Sequence, residues 1–467
     1  MKGMHGRILR LALPSILANI TVPLVGMADT AIAGHLGHAS FIGGVAVGTM
    51  LFDLLYWNFG FLRVGTGGLA AQAYGRKDMR EAAMIFQRGF ITSMLCALAV
   101  WVLQWFVVQG AFLVIDCTPQ VKELALTYFN IRIWAAPATL SMFVFKGWFI
   151  GMQDTVRPMA IDVFVNIVNI VASLFFALRT PLGFAGVAWG TLLAQYSGLL
   201  LSFILLFTKY RNIFKGADVR VSMRGGRLAS FFKMNGNLFL RSVCMILIYI
   251  GFTTISAHFG DELLAVSSIL MKLLMIFSFF IDGFAYAGEA LSGRYVGERQ
   301  RGLFNDAVRK IFIWGAGISV LFLFVYGFAG RFLLGIMTDD NTVIELSLGY
   351  MPWLMLMPLL GGAAFIWDGV FVGATETKTI RNSMIFAAAG FFLFYYAGIA
   401  LAGIPASGLM EDAVSVASDG TVSVAGKASL GIHILCGAYF AHLVIRSLYM
   451  TLRYGPLVRR KFPSVPV

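Results

Sequence analysis

The chain has 467 residues, of which 59% are hydrophobic and only 13% are charged, and its net charge is +13. Because soluble domains carry about 25% charged residues, this composition excludes an ordinary soluble protein and indicates a membrane protein. The basic residues cluster in alternate loops, which is the positive-inside pattern, so the charge reports topology and does not predict a nucleic-acid partner.

Long apolar segments follow one another along the chain, and we number them spans 1 to 12. They begin near Leu9, Phe41, Met84, Leu124, Pro158, Phe184, Met234, Leu263, Lys310, Leu346, Met384 and Ala428. Each is long enough to cross a hydrocarbon core of about 30 Å as a helix. The runs are continuous, which excludes the alternating pattern of a β-barrel. The first run is too long for a cleavable signal peptide. The sequence therefore predicts an all-α integral membrane protein with about twelve transmembrane helices.

Three sequence motifs occur twice, at an offset of 222 or 223 residues. The pairs are 34–37 with 257–260, 70–75 with 292–297, and 148–155 with 370–377. Such a repeat predicts two pseudo-symmetric six-helix lobes, residues 1–207 and 231–467, joined by a cytoplasmic linker at 208–230. In secondary transporters similar halves rock around a site that lies between or within them. A duplicated scaffold without transport activity is the alternative.

The loops and prolines give further expectations. The charge pattern places both termini in the cytoplasm and residues 404–427 outside the cell membrane. Within that outer segment, residues 414–424 alternate around Asp419-Gly420, which predicts a β-hairpin, although a flexible loop is an equally good interpretation. Prolines interrupt three spans: Pro14 and Pro23 in span 1, Pro137 in span 4 and Pro358 in span 10. They mark either bending points or static kinks.

Charged residues at bilayer depth are expensive, so they must pair with each other or line a water-filled cavity. The charged residues within the spans are Asp29, Asp53, Asp162, Asp282, Glu289, Asp368, Arg63, Arg132, Lys146, Arg241 and Lys272. Few of them obey the repeat, since Asp282 aligns with Gly60 and Glu289 with Gly67. The helices are duplicated but the charged residues within them are not, which predicts different tasks for the two halves.

Polar residues in the first half are candidates for coupling to a cation or a proton. They are Asp29 in span 1, Asn58 in span 2, the stripe Asp162, Asn166, Asn169 and Ser173 on one face of span 5, and Thr191 in span 6. One carboxylate with amide and hydroxyl oxygens can bind Na⁺ or hold a proton, and a low-dielectric pocket favours the protonated form. The alternative is that these groups only form hydrogen bonds between neighbouring helices.

A second set of charges is predicted to act in a substrate cavity or in gating. It comprises Arg63, Arg241, Asp282 and Asp368. Arg241 can pair with Asp282 or with Asp368, and either pair can be structural, gating or in contact with substrate. The cysteines and histidines lack metal-binding spacing, and no metal or phosphate motif is present, so we expect no cofactor, no resident metal and no enzyme activity.

Several stretches closely resemble the multidrug and toxic compound extrusion (MATE) family, specifically its DinF branch. The strongest are residues 29–37, 59–63, 67–73, 131–137, 147–153, 239–242, 281–284 and 368–375. The resemblance covers nearly the whole chain. It implies two lobes in a V around a central cavity.

The same resemblance implies a function in the cytoplasmic (inner) membrane, namely export of amphipathic, often cationic drugs or metabolites in exchange for H⁺ or Na⁺. We expect a monomer surrounded by membrane lipid. The family's coupling residues match Asp29, Asn169 and Thr191, which makes these three the candidate Na⁺ ligands. Where some members carry a second acid in span 5, this chain has Ser173, and the missing carboxylate favours H⁺. A flippase for lipid-linked or amphiphilic molecules is the alternative on the same architecture.

Overall fold

The structure, a computed structural model, describes residues 3–112, 115, 117–215, 219–222, 226–404, 414–416, 422–424 and 426–463. Twelve helices in these ranges are long and apolar enough to cross a membrane, as predicted. Spans 1 to 6 are Met4–Gly34, Ala39–Trp57 continued by Phe61–Gly75, Met79–Ala111, Pro119–Arg132 continued by Ala136–Gly151, Val156–Arg179, and Ala185–Tyr210. Spans 7 to 12 are Gly226–Ala257, Asp261–Gly297, Arg301–Met337, Asn341–Gly373, Thr377–Leu401 and Gly426–Lys461.

Shorter elements lie between and within the spans. Short 3₁₀ turns at Asn58–Gly60 and Ile133–Ala135 interrupt spans 2 and 4, a third at Arg211–Phe214 extends span 6, and a four-residue helix, Val219–Ser222, lies in the linker. The interruption of span 4 comes directly before Pro137, which confirms a break in the helix there, because proline cannot donate the hydrogen bond of a helix interior. The interruption agrees equally with a bending point and with a static kink. Pro358 lies inside an uninterrupted helix, so this break is not repeated in the second half.

The predicted hairpin is present. Strand β1, Val414–Val416, pairs antiparallel with strand β2, Val422–Val424, and Val414 lies opposite Val424. The Asp419-Gly420 turn itself lies outside the described residues.

The backbone repeats as closely as the sequence does. All residues with positive φ in the described part of the chain fall into four repeat-related pairs: Gly37 with Gly260, Lys77 with Arg299, Gln153 with Thr375, and Gly183 with Gly403. The φ angles of Gly37 and Gly260 are 95° and 96°, and those of Lys77 and Arg299 are 58° and 55°. Left-handed conformations are unfavourable for residues with a side chain, so their recurrence at equivalent loops indicates that both halves use the same turns.

The beginning of span 1 and the end of span 12 lie on the same face of the helical bundle as the loops that follow spans 4, 8 and 10, and we call it the basic face. On this face, the backbone at the end of span 2 lies in close contact with the backbone at the end of span 8. A Cβ atom on Gly75 would lie 2.0 Å from the carbonyl oxygen of Arg294, and one on Gly297 would lie 2.3 Å from that of Gln72. These two contacts are images of each other under the repeat, which indicates a pseudo-two-fold axis between spans 2 and 8.

Hydrogen bonds between the two halves lie next to these glycine contacts. The Gln72 side-chain amide donates to the carbonyl oxygen of Gly373 at 2.9 Å, and that of Gln153 donates to the carbonyl oxygen of Ala290 at 2.7 Å. Within each half, spans 4 and 10 approach spans 2 and 8 in equivalent ways, since a Cβ on Gly147 or on Gly369 would meet a backbone carbonyl. The halves are therefore closed against each other at the basic face.

The buried apolar residues form two large clusters. One combines residues of spans 2 to 6 with Ile32 and Ala33 of span 1. The other consists mainly of residues of spans 7 to 12, and also contains Ile8 and Ala12 from the beginning of span 1. Span 1 thus packs on both halves. The exact lobe boundaries at 207 and 231 stay a prediction.

Asp154 and Glu376 are loop acids at equivalent positions of the repeat. Each one binds the end of the last span of its own half at the basic face. Asp154 accepts hydrogen bonds from Lys209 and Tyr210 at the end of span 6 and is paired with Arg157. Glu376 pairs with Arg460 and Lys461 at the end of span 12. Burial opposes ionisation of Asp154, but the hydrogen bonds and charges of Lys209 and Arg157 outweigh it and lower the pKa of this carboxyl below its usual value.

The glycine contacts at the basic face can be tested by adding a methyl group. We expect Gly75→Ala and Gly297→Ala each to lower the thermal stability of the detergent-solubilised protein, because the added Cβ would force apart two rigid backbones at a cost of about 1–3 kcal/mol. Gly302→Ala on the same face is the control, since a Cβ there meets no atom within 4 Å. If all three variants unfold at the wild-type temperature, the close approach is wrong.

Candidate functional site

A buried polar cluster in the first half contains four of the predicted coupling residues, and we call Asp29, Asn169, Ser173 and Thr191 the aspartate cluster. The Thr191 hydroxyl donates to Asp29 Oδ2 at 3.4 Å, and the Asn169 side-chain amide donates to Thr191 Oγ1 at 2.9 Å. Ser173 lies beside Asp29, and its hydroxyl also donates to the carbonyl oxygen of Val187. Spans 1, 5 and 6 therefore bring these side chains together, as the spacing of span 5 predicts.

Helix packing in this region depends on small residues. A Cβ on Gly190 of span 6 would lie 2.3 Å from Ser173 Oγ, so span 6 can lie directly against span 5 only because this position has no side chain. Thr191 follows immediately and is thereby held against Asp29. The close contact of the two helices positions the hydroxyl and amide groups of the cluster.

Two oxygen atoms in the cluster lack a partner. Asp29 is 3% exposed and Asn169 is 1% exposed, and neither Asp29 Oδ1 nor Asn169 Oδ1 has a hydrogen-bond partner. Buried acceptors without a donor are costly. Both oxygens are therefore available to accept a hydrogen bond or to coordinate a cation.

Tyr128 of span 4 also contacts the cluster, which sequence reasoning missed. Its hydroxyl donates to Asp29 Oδ2 at 3.4 Å and accepts a hydrogen bond from Arg132 at 2.9 Å. A Cβ on Gly48 of span 2 would lie 2.5 Å from the Tyr128 ring, so this glycine leaves the space that the ring occupies. The charged residue one helical turn later, Arg132, is the sequence signal that could have pointed to Tyr128. Asp29 itself is held by hydroxyl groups and has no salt bridge among the described residues.

The structure places the other predicted coupling residues elsewhere. Asp162 forms a salt bridge with Lys146 of span 4 and is not part of the aspartate cluster. Asn166 donates to the carbonyl oxygen of Thr21 at 3.0 Å. Asn58 lies in the 3₁₀ turn that interrupts span 2. The shared face of span 5 is real, but its polar residues serve different neighbours along its length.

A charge network occupies the second half. Asp368 of span 10 accepts from Arg241 of span 7 and from Arg446 of span 12, both at 2.6 Å on the same oxygen. Of the two pairings left open for Arg241, the structure has the one with Asp368. Arg446 is a residue that sequence reasoning missed, although its apolar neighbours in span 12 place it at membrane depth.

Three further charged residues, Arg63, Asp282 and Glu289, lie near this network at the interface of the halves. Arg63 pairs with Glu289 at 3.2 Å and lies over the ring of Tyr286 at 4.4 Å from its centroid. Asp282 interacts electrostatically with Arg63, Arg241, Arg446 and Asp368. Arg63, Arg241, Asp282 and Asp368, the four residues predicted for cavity or gating, therefore belong to one group of charges. Glu289 approaches Gly67, its own repeat equivalent, where a Cβ would lie 2.0 Å from Glu289 Oε1.

Comparison with known proteins agrees with this architecture. The family model described as MatE matches residues 14–175 and 238–396, more than half of the chain. DNA damage-inducible protein F of Escherichia coli (strain K12) is 34% identical over 82% of this chain and 83% of its own length. Human multidrug and toxin extrusion protein 1 is 26% identical over 79% of this chain and 65% of its own length.

Solved structures share the fold at low sequence identity. A MATE crystal structure in the bent conformation has a TM-score of 0.83 at 17% identity and covers 98% of this chain and 97% of its own. An outward-facing multidrug resistance MATE family transporter of the MOP superfamily has a TM-score of 0.81 at 18% identity, with coverage of 97% and 96%.

The duplicated twelve-helix fold, together with the family match and the 34% identical relative, defines a multi-pass membrane transporter and not an enzyme. The chain belongs to the MATE family, in agreement with the motifs in its sequence and with its DinF relative.

The charge network of the second half can be tested by removing its members one at a time. We expect Asp368→Asn to lower the unfolding free energy by about 3–5 kcal/mol, because it leaves two buried arginines facing each other without their acid. Arg446→Gln should cost less, since Arg241 still balances Asp368. The double variant Asp368→Asn/Arg446→Gln should recover part of the loss.

Thermal unfolding of the purified variants in detergent measures the order of their stabilities. Arg331→Gln is the control, because Arg331 and Glu345 form an exposed pair, with Arg331 69% exposed, and such pairs contribute little. A double variant that is less stable than both single variants would contradict the network.

Proposed function

We propose that this protein exports amphipathic, cationic drugs or metabolites across the cytoplasmic membrane in exchange for protons. The aspartate cluster supports this proposal above all, because it contains a buried carboxylate with no salt bridge in the described chain and with one unpartnered oxygen. A proton on Asp29 Oδ1 would supply the donor that the cluster lacks. The relatives named multidrug and toxin extrusion protein support the substrate class.

Protons are preferred over Na⁺ for a reason of ligand charge. Asp29 is the only carboxylate of the aspartate cluster, and the position where a second acid would strengthen a Na⁺ site is Ser173. Asn169 and Thr191 would complete a Na⁺ site with amide and hydroxyl oxygens, which keeps Na⁺ as the second candidate ion. Protonation neutralises Asp29 and thus removes the cost of a buried charge, whereas a bound Na⁺ would need several oxygen ligands.

The closure at the basic face indicates which side of the membrane the substrate site can reach in this conformation. By the positive-inside rule the basic face is cytoplasmic, and with it both ends of the chain. Because the halves are closed there through their backbones, this conformation is closed to the cytoplasm, as the outward-facing state of the cycle must be. Protonation of Asp29 from the outside would change the hydrogen bonds among spans 1, 5 and 6 and release the substrate to that side.

The charges at the interface would provide the substrate cavity and its gate. Arg63, Asp282 and Asp368 come from both halves, so a rearrangement of the halves must change their mutual distances. Asp368 Oδ1 and the Nε atoms of Arg241 and Arg446 have no partner, which leaves polar groups for a ligand. Each arginine already has an acidic partner, and this favours export of cations over flipping of a lipid phosphate. One chain contains both halves, so we propose that the monomer is the working unit.

Transport in proteoliposomes separates the candidate ions. We expect an inward-directed proton gradient to drive efflux of a fluorescent amphipathic cation, and a Na⁺ gradient at equal pH on both sides to drive none. Asp29→Asn should abolish coupled efflux while it retains the wild-type unfolding temperature, since asparagine has the size of a protonated aspartate and cannot lose a proton.

Asp306→Asn is the matched control, because Asp306 forms an intrahelical pair with Lys310 in span 9, outside both polar groups. Efflux driven by Na⁺ alone would make Na⁺ the coupling ion. Full proton-driven efflux by Asp29→Asn would refute the role of this carboxylate.

A further inference from the structure

A polar pocket lies on the basic face, between the beginning of span 11 and the end of span 12. It has a volume of about 370 Å³. Its principal lining residues are Lys378, Thr379, Asn382, Tyr449, Arg453 and Arg460. None of them belongs to the aspartate cluster or to the charge network, so the proposed transport cycle does not account for this pocket. We call it the cytoplasmic pocket.

The cytoplasmic pocket carries an excess of positive charge. Arg460 is partly neutralised, because it donates to Glu376 Oε2 at 2.8 Å and shares this acid with Lys461. Lys378 and Arg453 form no ion pair with a carboxylate in the described part of the chain, and both are exposed. Arg453 lies over the ring of Tyr449, 5.4 Å from its centroid. Two cations thus face the same cavity without an anion.

The other lining groups suit the oxygen atoms of a phosphate. Thr379, Asn382 and Tyr449 place a hydroxyl, an amide and a phenol at the cavity, and all three can donate hydrogen bonds. Span 11 begins at Thr377, so the positive end of its helix dipole also lies there. Arginine and lysine with such donors are the usual partners of phosphate.

An apolar surface continues from the pocket toward the membrane centre. Phe386 lies one turn after Asn382 in span 11 and is 54% exposed, and Leu452 and Leu448 of span 12 are 68% and 57% exposed. The rings of Phe386 and Tyr449 are 5.5 Å apart and connect the polar and the apolar part. A molecule that carries a phosphate and acyl chains matches this arrangement.

We propose that the cytoplasmic pocket binds the headgroup phosphate of an anionic phospholipid, with its acyl chains along Phe386, Leu448 and Leu452. Lys378 of span 11 and Arg453 of span 12 would contact the same phosphate, and the lipid would thus bridge the two helices at their cytoplasmic ends. Free phosphate has the same charged group without the chains, so the experiment must separate the two sources.

The test uses the full-length protein in detergent and the double variant Lys378→Gln/Arg453→Gln. Phosphatidylglycerol is titrated and its binding is followed by native mass spectrometry, with inorganic phosphate in a parallel titration. A basic residue near an anionic lipid contributes roughly fivefold in affinity, so we expect about 25-fold weaker binding of the tightest lipid by this variant. Wild-type protein should bind phosphatidylglycerol and not inorganic phosphate.

Matched controls separate the pocket from general surface charge. Arg80→Gln/Arg309→Gln removes two exposed cations elsewhere on the chain and should retain wild-type lipid affinity. Lys378→Arg/Arg453→Lys keeps both charges and should retain most of the binding, and all variants should unfold at the wild-type temperature.

Equal lipid affinity in the wild type and the pocket variant would overturn the proposal, and so would an equal loss in the Arg80/Arg309 control. Binding of inorganic phosphate without lipid binding, lost in the pocket variant, would retain the phosphate site and overturn the phospholipid as its source.

Discussion

The contact of backbone with backbone at the basic face is the constraint on which the rest of this structure depends. Gly75 and Gly297 let spans 2 and 8 meet at their ends without intervening side chains. Because this contact is symmetric, it fixes where the pseudo-two-fold axis passes. Groups near that axis are forced together, which is why Glu289 occupies space that its repeat equivalent Gly67 leaves free. The inter-half pair of Arg63 with Glu289 exists because the two copies differ at this position.

The two halves use one scaffold for different polar chemistry. At the offset of the repeat, Asp29 and Asn169 correspond to Phe252 and Phe391, which are buried in the apolar core of the second half. Lys146 corresponds to Asp368, so equivalent positions carry opposite charges, and each is paired with an ion of the other sign. An ion pair lowers the cost of a charge at this depth, whereas Asp29 is held by hydroxyl groups and has no salt bridge among the described residues. The two halves therefore stabilise their buried charges in different ways.

The fold was predictable from the sequence to a large extent, and the site in part. Hydropathy and the repeat predict twelve helices because apolar length and internal similarity are local properties of the chain. The grouping of Asp29, Asn169, Ser173 and Thr191 followed from helical spacing and from family motifs. Spacing alone could not show that Asp162 turns to Lys146, because that depends on how spans 4 and 5 pack. Tyr128 and Arg446 were missed for the same reason, since their importance comes from partners far away in sequence.

The scarcity of side chains at the closed end has a consequence for how fast the two halves can part and meet again. Long side chains lose rotamer freedom when they are immobilised in a contact, whereas a surface of glycine and carbonyl groups has almost none to lose. When the two ends meet, few side chains must be ordered, chiefly those of Gln72 and Gln153, and the glycine contacts themselves order none. A contact made mainly by backbone atoms can therefore be tight and still open and close in each transport cycle at a small cost in side-chain entropy.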